Sequence, residues 1–350
     1  MRHTIALTDL IASRHPLVQA PMAGAQGSAL ALAVCAAGGV GSLPAAMLAP
    51  EALQAELRFL REQAAGPWNV NFFCHTPPEP DPTAESRWRQ ALLPFYAEAG
   101  IDPARVPAGA GRVPFSHAIA DMVEPFSPPV VSFHFGLPAP DLLARVKSWG
   151  SVVLSSATTV QEALWLEAQG ADAVIAQGLE AGGHRGMFLT DELGTQMGTV
   201  ALLPQIVAAV KVPVIAAGGI ADASGVRAAM ALGAAGVQVG TAYLCCPEAT
   251  TSALHRAALM SDAARHTELT TLFSGRPARG IVNRLMRTLG PLNPAAPAFP
   301  LATAAVAPLR AHFEALGRTD CTPLWSGQNA SACRPAPAAE ITAALARGFD

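Results

Sequence analysis

The chain has 350 residues, 51% of them hydrophobic and 14% charged, with 26 acidic side chains against 23 basic and a formal net charge of −3. So apolar a chain buries a large core, as one barrel-sized domain or as a domain with an appendage, which excludes disorder. The missing basic surplus excludes nucleic acid and an anionic membrane as partners and leaves a small-molecule substrate.

At the N-terminus Arg2 and His3 are followed by Asp9, Arg14 and His15, which break up any signal-like apolar stretch, so a cytoplasmic protein is expected. The longest apolar run, Ala29–Val40, is 12 residues with Gly38 and Gly39 inside it; a bilayer needs about 20. Short β-rich runs that end in Gly or small polar residues are predicted at Leu17–Ala20, Val40–Leu43, Asn69–Phe73, Val130–His134, Val152–Ser155, Ala173–Gln177, Val214–Ala217 and Gly236–Val239. Helical spacing fills the intervals at Glu51–Gln63, Pro140–Trp149, Thr159–Gln169, Leu202–Val210 and Ala223–Leu232. Eight strands with crossover helices predict a closed α/β barrel of the (β/α)8 TIM type. The alternative, an open doubly wound sheet, usually carries G-x-G-x-x-G after its first strand, and neither that pattern nor a P-loop is present.

The barrel is assigned to residues 1–74, 128–246 and 323–350. Between these pieces, His75–Ser127 is Pro-rich around a predicted helix at Ala84–Ala99 and reads as an insertion, 75–127. The stretch 247–322 is helical at first and Pro-rich from Pro291 to Pro308, and reads as a small, mainly helical lid. The six cysteines, Cys35, Cys74, Cys245, Cys246, Cys321 and Cys333, show no C-x-x-C pair and no His at zinc-finger spacing, so neither a metal site nor a disulfide framework is expected.

In such barrels the active site lies at the C-terminal strand ends, and a phosphate is commonly held by the loops after strands seven and eight. Here those loops are Ala217-Gly218-Gly219-Ile220 and Gln238-Val239-Gly240-Thr241. Glycine lets backbone N–H groups approach an anion, and Thr241 adds a hydroxyl. Tight βα turns alone also use such glycines; both loops together at the right strand ends point to a phosphate. The sixth strand runs into Gln177-Gly178-Leu179-Glu180-Ala181-Gly182-Gly183-His184-Arg185-Gly186, read as a flexible loop that lifts His184 over the barrel mouth to donate a hydrogen bond or move a proton. His134, closing the fourth strand, should point into the same mouth, either as a catalytic partner or as a buried structural histidine. His3, His15, His75, His117, His255, His266 and His312 are read as ordinary.

The pieces Gln19-Ala20-Pro21-Met22-Ala23-Gly24, Asn69-Val70-Asn71-Phe72, the Gln177–His184 loop, Ala216–Ile220 and Gln238–Thr241 resemble the nitronate monooxygenases, formerly called 2-nitropropane dioxygenases, from about His15 to Asn329. Phe273–Gly280 (FSGRPARG) and Trp325–Asn329 (WSGQN) resemble the class I branch. The resemblance implies FMN, its ring over Ala20, Pro21, Met22 and Ala23, its polar edge read by Asn71 and Gln177 with Gly182 at the His-bearing loop, and its phosphate near Gly218, Gly219, Gln238, Val239, Gly240 and Thr241. It also implies oxidation of an alkyl nitronate, propionate 3-nitronate above all, with O2 to a carbonyl compound and nitrite or related products, His184 and His134 serving catalysis in a monomer or homodimer. The rivals are an NAD(P)H-dependent FMN reductase acting on quinones or enoyl thioesters, a flavin-binding module without turnover, and a sugar-phosphate isomerase.

Overall fold

The computed structural model describes residues 6–79, 81–107 and 111–350, so Arg2 and His3 lie outside the described residues. Eight parallel strands form one sheet: β1 (Leu17–Gln19), β2 (Gly41–Pro44), β3 (Trp68–Phe73), β4 (Val130–His134), β5 (Val152–Ala157), β6 (Ala173–Gln177), β8 (Val214–Ala217) and β9 (Gly236–Val239). The extra strand in chain order, β7 (Gly183–His184), belongs to a second sheet. In the order β1-β9-β8-β6-β5-β4-β3-β2 only the seam between β1 and β2 lacks a ladder. There Val18 bridges Val40, Gln19 N donates to Val40 O at 2.9 Å and Val40 N to Leu17 O at 2.8 Å. The predicted barrel is present, with each strand within a few residues of its expected place.

These strands are nearly continuous apolar runs because both faces are covered. Outward residues such as Leu43, Val70, Val131 and Val174 pack with Leu30, Leu53, Leu57, Leu166 and Ile206 from the surrounding helices. Inward residues Val18, Val40, Val130, Leu154, Ile175 and Ile215 cluster with Leu7 and Ile11, so the short helix Leu7–Ile11 stoppers the N-terminal end and leaves the opposite mouth for chemistry. No described helix is long and apolar enough to cross a membrane.

Residues from the stretches 75–127 and 247–322, expected as insertion and lid, share a hydrophobic cluster. Trp88, Phe95 and Tyr96 pack with Leu285, Met286, Leu309 and Phe313; Trp88 Nε1 donates to Ala302 O at 3.1 Å, and Tyr96 OH to Ala305 O at 2.5 Å. Three features differ from expectation. The single helix predicted over Ala84–Ala99 is two, Pro82–Ala91 and Leu93–Ala99, because Pro94 has no N–H to continue the first and begins the second instead. The Pro-rich stretch is partly helical, Ala302–Ala315, with Pro308 inside it. The lid also carries β10 (Thr267–Thr270) and β11 (Ala278–Ile281), which continue the small antiparallel sheet onto β7.

Candidate active site

The loops at the ends of β8 and β9 form a cradle of backbone. Gly218 and Gly219 sit at φ +116° and +74°, in the left-handed region, and a Cβ at Gly218 would stand 3.0 Å from Thr199 Oγ1 and 3.1 Å from Ala181 N. Glu180 fixes the neighbouring helix start: Thr199 N donates to its two carboxylate oxygens at 3.0 and 2.8 Å. A Cβ at Gly240 would lie 3.2 Å from Ala20 Cβ and 3.5 Å from Met22 Sδ, so the first strand's half-buried exit, Ala20–Ala23, lies directly against the last strand's. Ala20 N donates to Val239 O at 2.8 Å. The chain's late segment walls the cradle: Gly327 N donates to Thr241 Oγ1 at 2.9 Å, Gln328 N to Glu180 O at 2.9 Å and Asn329 Nδ2 to Gly219 O at 3.0 Å. Gly182 must be glycine, since a Cβ there would meet Gly327 N at 2.5 Å. Gln238 Oε1 is buried with no hydrogen-bond partner.

Across the barrel, Asn71 Nδ2 donates to Ser132 Oγ at 2.9 Å and Ser132 O at 3.2 Å, leaving Oδ1 without a partner among the described residues. Gln177 turns to the His-bearing segment: its Nε2 donates to His184 O at 2.9 Å and its Oε1 accepts from Gly186 N at 2.7 Å. One amide hydrogen and one lone pair of Gln177 remain for a ligand.

The segment expected to be flexible is pinned instead. His184 pairs with Ala278 in the small sheet, and fully buried Arg185 donates to Gln177 O at 2.7 Å, Gly178 O at 2.6 Å and Gln196 Oε1 at 2.9 Å. Four glycines in a row of loop residues concealed this, because a two-residue strand paired to the lid leaves no periodic signal. His184 Nε2 lies 2.8 Å from Ser274 Oγ, and its Nδ1 has no partner among the described residues. His134 is spoken for at both nitrogens: Nε2 faces His184 O at 3.2 Å, so it carries the proton, and Nδ1 accepts from Ser156 Oγ at 3.1 Å. It therefore supports the His184 backbone from below.

Sequence reasoning missed the surroundings. Phe73, Phe135, Phe299 and Trp325 ring His184 at centroid separations of 6.4, 6.1, 5.4 and 5.6 Å. His75, read as ordinary, is buried edge-on to Phe299 at 4.9 Å with Nε2 donating to Arg112 O at 3.0 Å. Arg276 stacks over Phe135 at 4.1 Å and Arg112 over Phe299 at 5.3 Å. Only the FSGRPARG string pointed at Arg276; Arg112 and Phe299 come from the insertion and lid, whose docking no local pattern encodes.

The profile described as nitronate monooxygenase matches residues 4–348. The chain belongs to the nitronate monooxygenase family. It is 41% identical to the nitronate monooxygenase of Paraburkholderia phytofirmans, covering 98% of this chain and 94% of that one, and 41% identical to that of Pseudomonas aeruginosa, covering 98% of each. Among solved structures it is similar to a nitroalkane oxidase from Streptomyces ansochromogenes, at 38% identity and TM-score 0.87 over 98% of this chain and 97% of that. It is also similar to FabK from Thermotoga maritima, at 27% identity and TM-score 0.74 over 98% and 95%. As a nitronate monooxygenase family member the protein is an oxidoreductase.

For this family member the electrostatics at the mouth are specific. Burial, then Arg112, His134 and Arg276, hold His184 well below the ordinary histidine range, so the imidazole is neutral at pH 7. Burial depresses His134 to about 3. Among the described residues no group of three or more His, Cys, Asp or Glu is arranged to hold a metal ion.

Proposed function

We propose that the protein is an FMN-dependent nitronate monooxygenase whose substrate is a small alkyl nitronate, propionate 3-nitronate by family resemblance. The observation that carries this reading is a neutral, walled-in His184 whose Nδ1 has no partner among the described residues, set in a positive field beside a glycine cradle. The residues suit FMN. Gly218, Gly219, Gly240 and Thr241 offer backbone and hydroxyl donors to one terminal phosphate; Ala20, Pro21, Met22 and Ala23 offer a half-buried floor for the ring. The orphaned Gln238 Oε1 and the unpartnered Asn71 Oδ1 are acceptors in want of a donor, and Gln177 and Gly182 border the same space.

When bound, FMN would supply the redox chemistry, a route for electrons from the nitronate to O2. A nitronate has already lost its proton, so no strong base is needed at the site. His184, with its proton on Nδ1 and Nε2 accepting the Ser274 hydroxyl, donates to a nitronate oxygen. The competing acceptor for that hydroxyl, Arg276 O, is 3.4 Å away and weaker. His134 and Gln177 position the His184 backbone from two sides. The aromatic wall excludes water and strengthens each polar contact.

An FMN reductase using NAD(P)H is the competing reading, and one experiment separates the two. Under anaerobic stopped-flow mixing, propionate 3-nitronate should bleach the flavin absorbance quickly and NADH slowly. Fast bleaching by NADH with the nitronate inert would overturn the proposal.

A further inference from the structure

Two guanidinium groups beside His184 make no direct ion pair among the described residues, although Asp191 and Glu162 act on Arg276 through space. Arg276 and Arg112 take part in none of the ion pairs found among the described residues. Arg276 donates one N–H to Met187 O, while its Nε is buried with no partner at all. Both cations lie on the aromatic wall, over Phe135 and Phe299, rings 5.4 Å apart that each face the His184 imidazole. Burial lowers both guanidinium pKa values, the mark of cations held out of water. Desolvating a cation without a partner is costly, so an anion from outside is the fitting complement.

The FMN phosphate is not that anion. Its cradle stands at the ends of β8 and β9, whereas Phe135 follows β4, three strands from β8 and four from β9 around the closed sheet. A nitronate carries one negative charge, and His184 already offers it a donor. Two cations on the substrate side therefore leave room for a second anionic group. Arginine forks match carboxylates in two parallel hydrogen bonds, and stacking on a phenyl face holds the fork flat without using up its N–H groups.

We propose that Arg276, assisted by Arg112, is a carboxylate subsite that selects nitronates bearing a carboxylate at the end remote from the nitro carbon. The inference rests on the nitronate reading above and assigns the residues that decide which nitronate is preferred. Arg276 is tethered to the reacting end by the short segment Ser274–Arg276, whose Ser274 meets His184, so the two ends of a short substrate are read from one loop.

The test is a ratio. Wild type and variants are compared for kcat/KM on propionate 3-nitronate divided by kcat/KM on propyl nitronate, which lacks the carboxylate. Arg276→Gln should lower the ratio about 30-fold, within the range for loss of one charge-assisted hydrogen bond, mainly through KM for the carboxylated substrate. Arg112→Gln should lower it about 5-fold, as a more distant charge, and Arg276→Lys, keeping charge without the fork, should fall between wild type and Arg276→Gln. A ratio unchanged within about 2-fold in Arg276→Gln overturns the subsite, whether or not overall turnover drops. If wild type oxidises neither nitronate, the functional reading fails separately, and calorimetric titration of the holoenzyme with succinate decides the subsite. Binding weakened at least about 10-fold by Arg276→Gln supports it. Equal binding overturns it.

Discussion

Replacing His184 by glutamine or by asparagine asks which ring nitrogen works on the substrate. A glutamine amide sits where Nε2 was; it keeps the contact with Ser274, 2.8 Å away in the wild type, and removes the donor at Nδ1. An asparagine amide sits near Nδ1 and loses Ser274. A neutral donor facing a charged acceptor contributes about 1.5–3 kcal/mol, or a factor of roughly 10–150. His184→Gln should therefore lower kcat/KM for a nitronate about 10²-fold, and His184→Asn only about 10-fold, the flavin spectrum remaining in both. The pH profile supplies a second arm. Because burial and the two arginines hold the imidazole below its usual range, kcat/KM in the wild type should show no histidine inflection between pH 6 and 8. Steady-state oxygen consumption checks both. The reasoning fails if asparagine is the worse replacement, or if an inflection near pH 6.5 appears and vanishes in His184→Gln.

Three further outcomes are expected. Purified protein should be yellow and release FMN, not FAD, on denaturation, since the cradle of Gly218, Gly219, Gly240 and Thr241 suits one terminal phosphate; chromatography of the released flavin checks it. Gly218→Ala should raise the FMN dissociation constant at least about 10-fold and lower Tm, because a side chain at φ +116° is strained by about 1–3 kcal/mol and its Cβ presses on Thr199; ultrafiltration and calorimetry read the two effects. Folding stability should fall in acid: His134 at about 3 and His255 at about 4 are depressed when folded, so their contribution is complete above about pH 6.5 and is lost as pH drops below it. From pH 7 to 5 the two together cost up to about 4 kcal/mol, at about 1.4 kcal/mol per unit each, and a denaturant midpoint that does not move over that range refutes the sign.

The barrel was legible because its strands are buried on both faces. A run such as Ala173–Gln177 is apolar throughout and bounded by turn residues, and the parallel crossover between two such runs requires a helix. The glycine turns at the strand ends were legible for a related reason: Gly218 and Gly219 adopt backbone angles that few other residues tolerate. What could not be read were contacts made between distant parts of the chain. The small sheet joins Gly183–His184 to Ala278–Ile281 through two residue pairs, too few for any periodicity. The insertion and lid meet through Trp88 and Ala302, 214 positions apart, and only that meeting brings Arg112 and Phe299 to His184.

The wall that Gly327, Gln328 and Asn329 build against the cradle also has a chronology. A chain emerging N-terminus first has produced all eight barrel strands by Val239, yet the donors that brace Thr241, Glu180 and Gly219 are translated nearly ninety residues later. The barrel strands and the residues that wall the cradle are thus separated in order of synthesis, with residues 247–322 between them. A chain interrupted after Trp325 contains the sequence of every barrel strand but lacks both the brace over the glycine loops and the helix Ala338–Ala346, whose Ile341 and Leu345 pack in the barrel core.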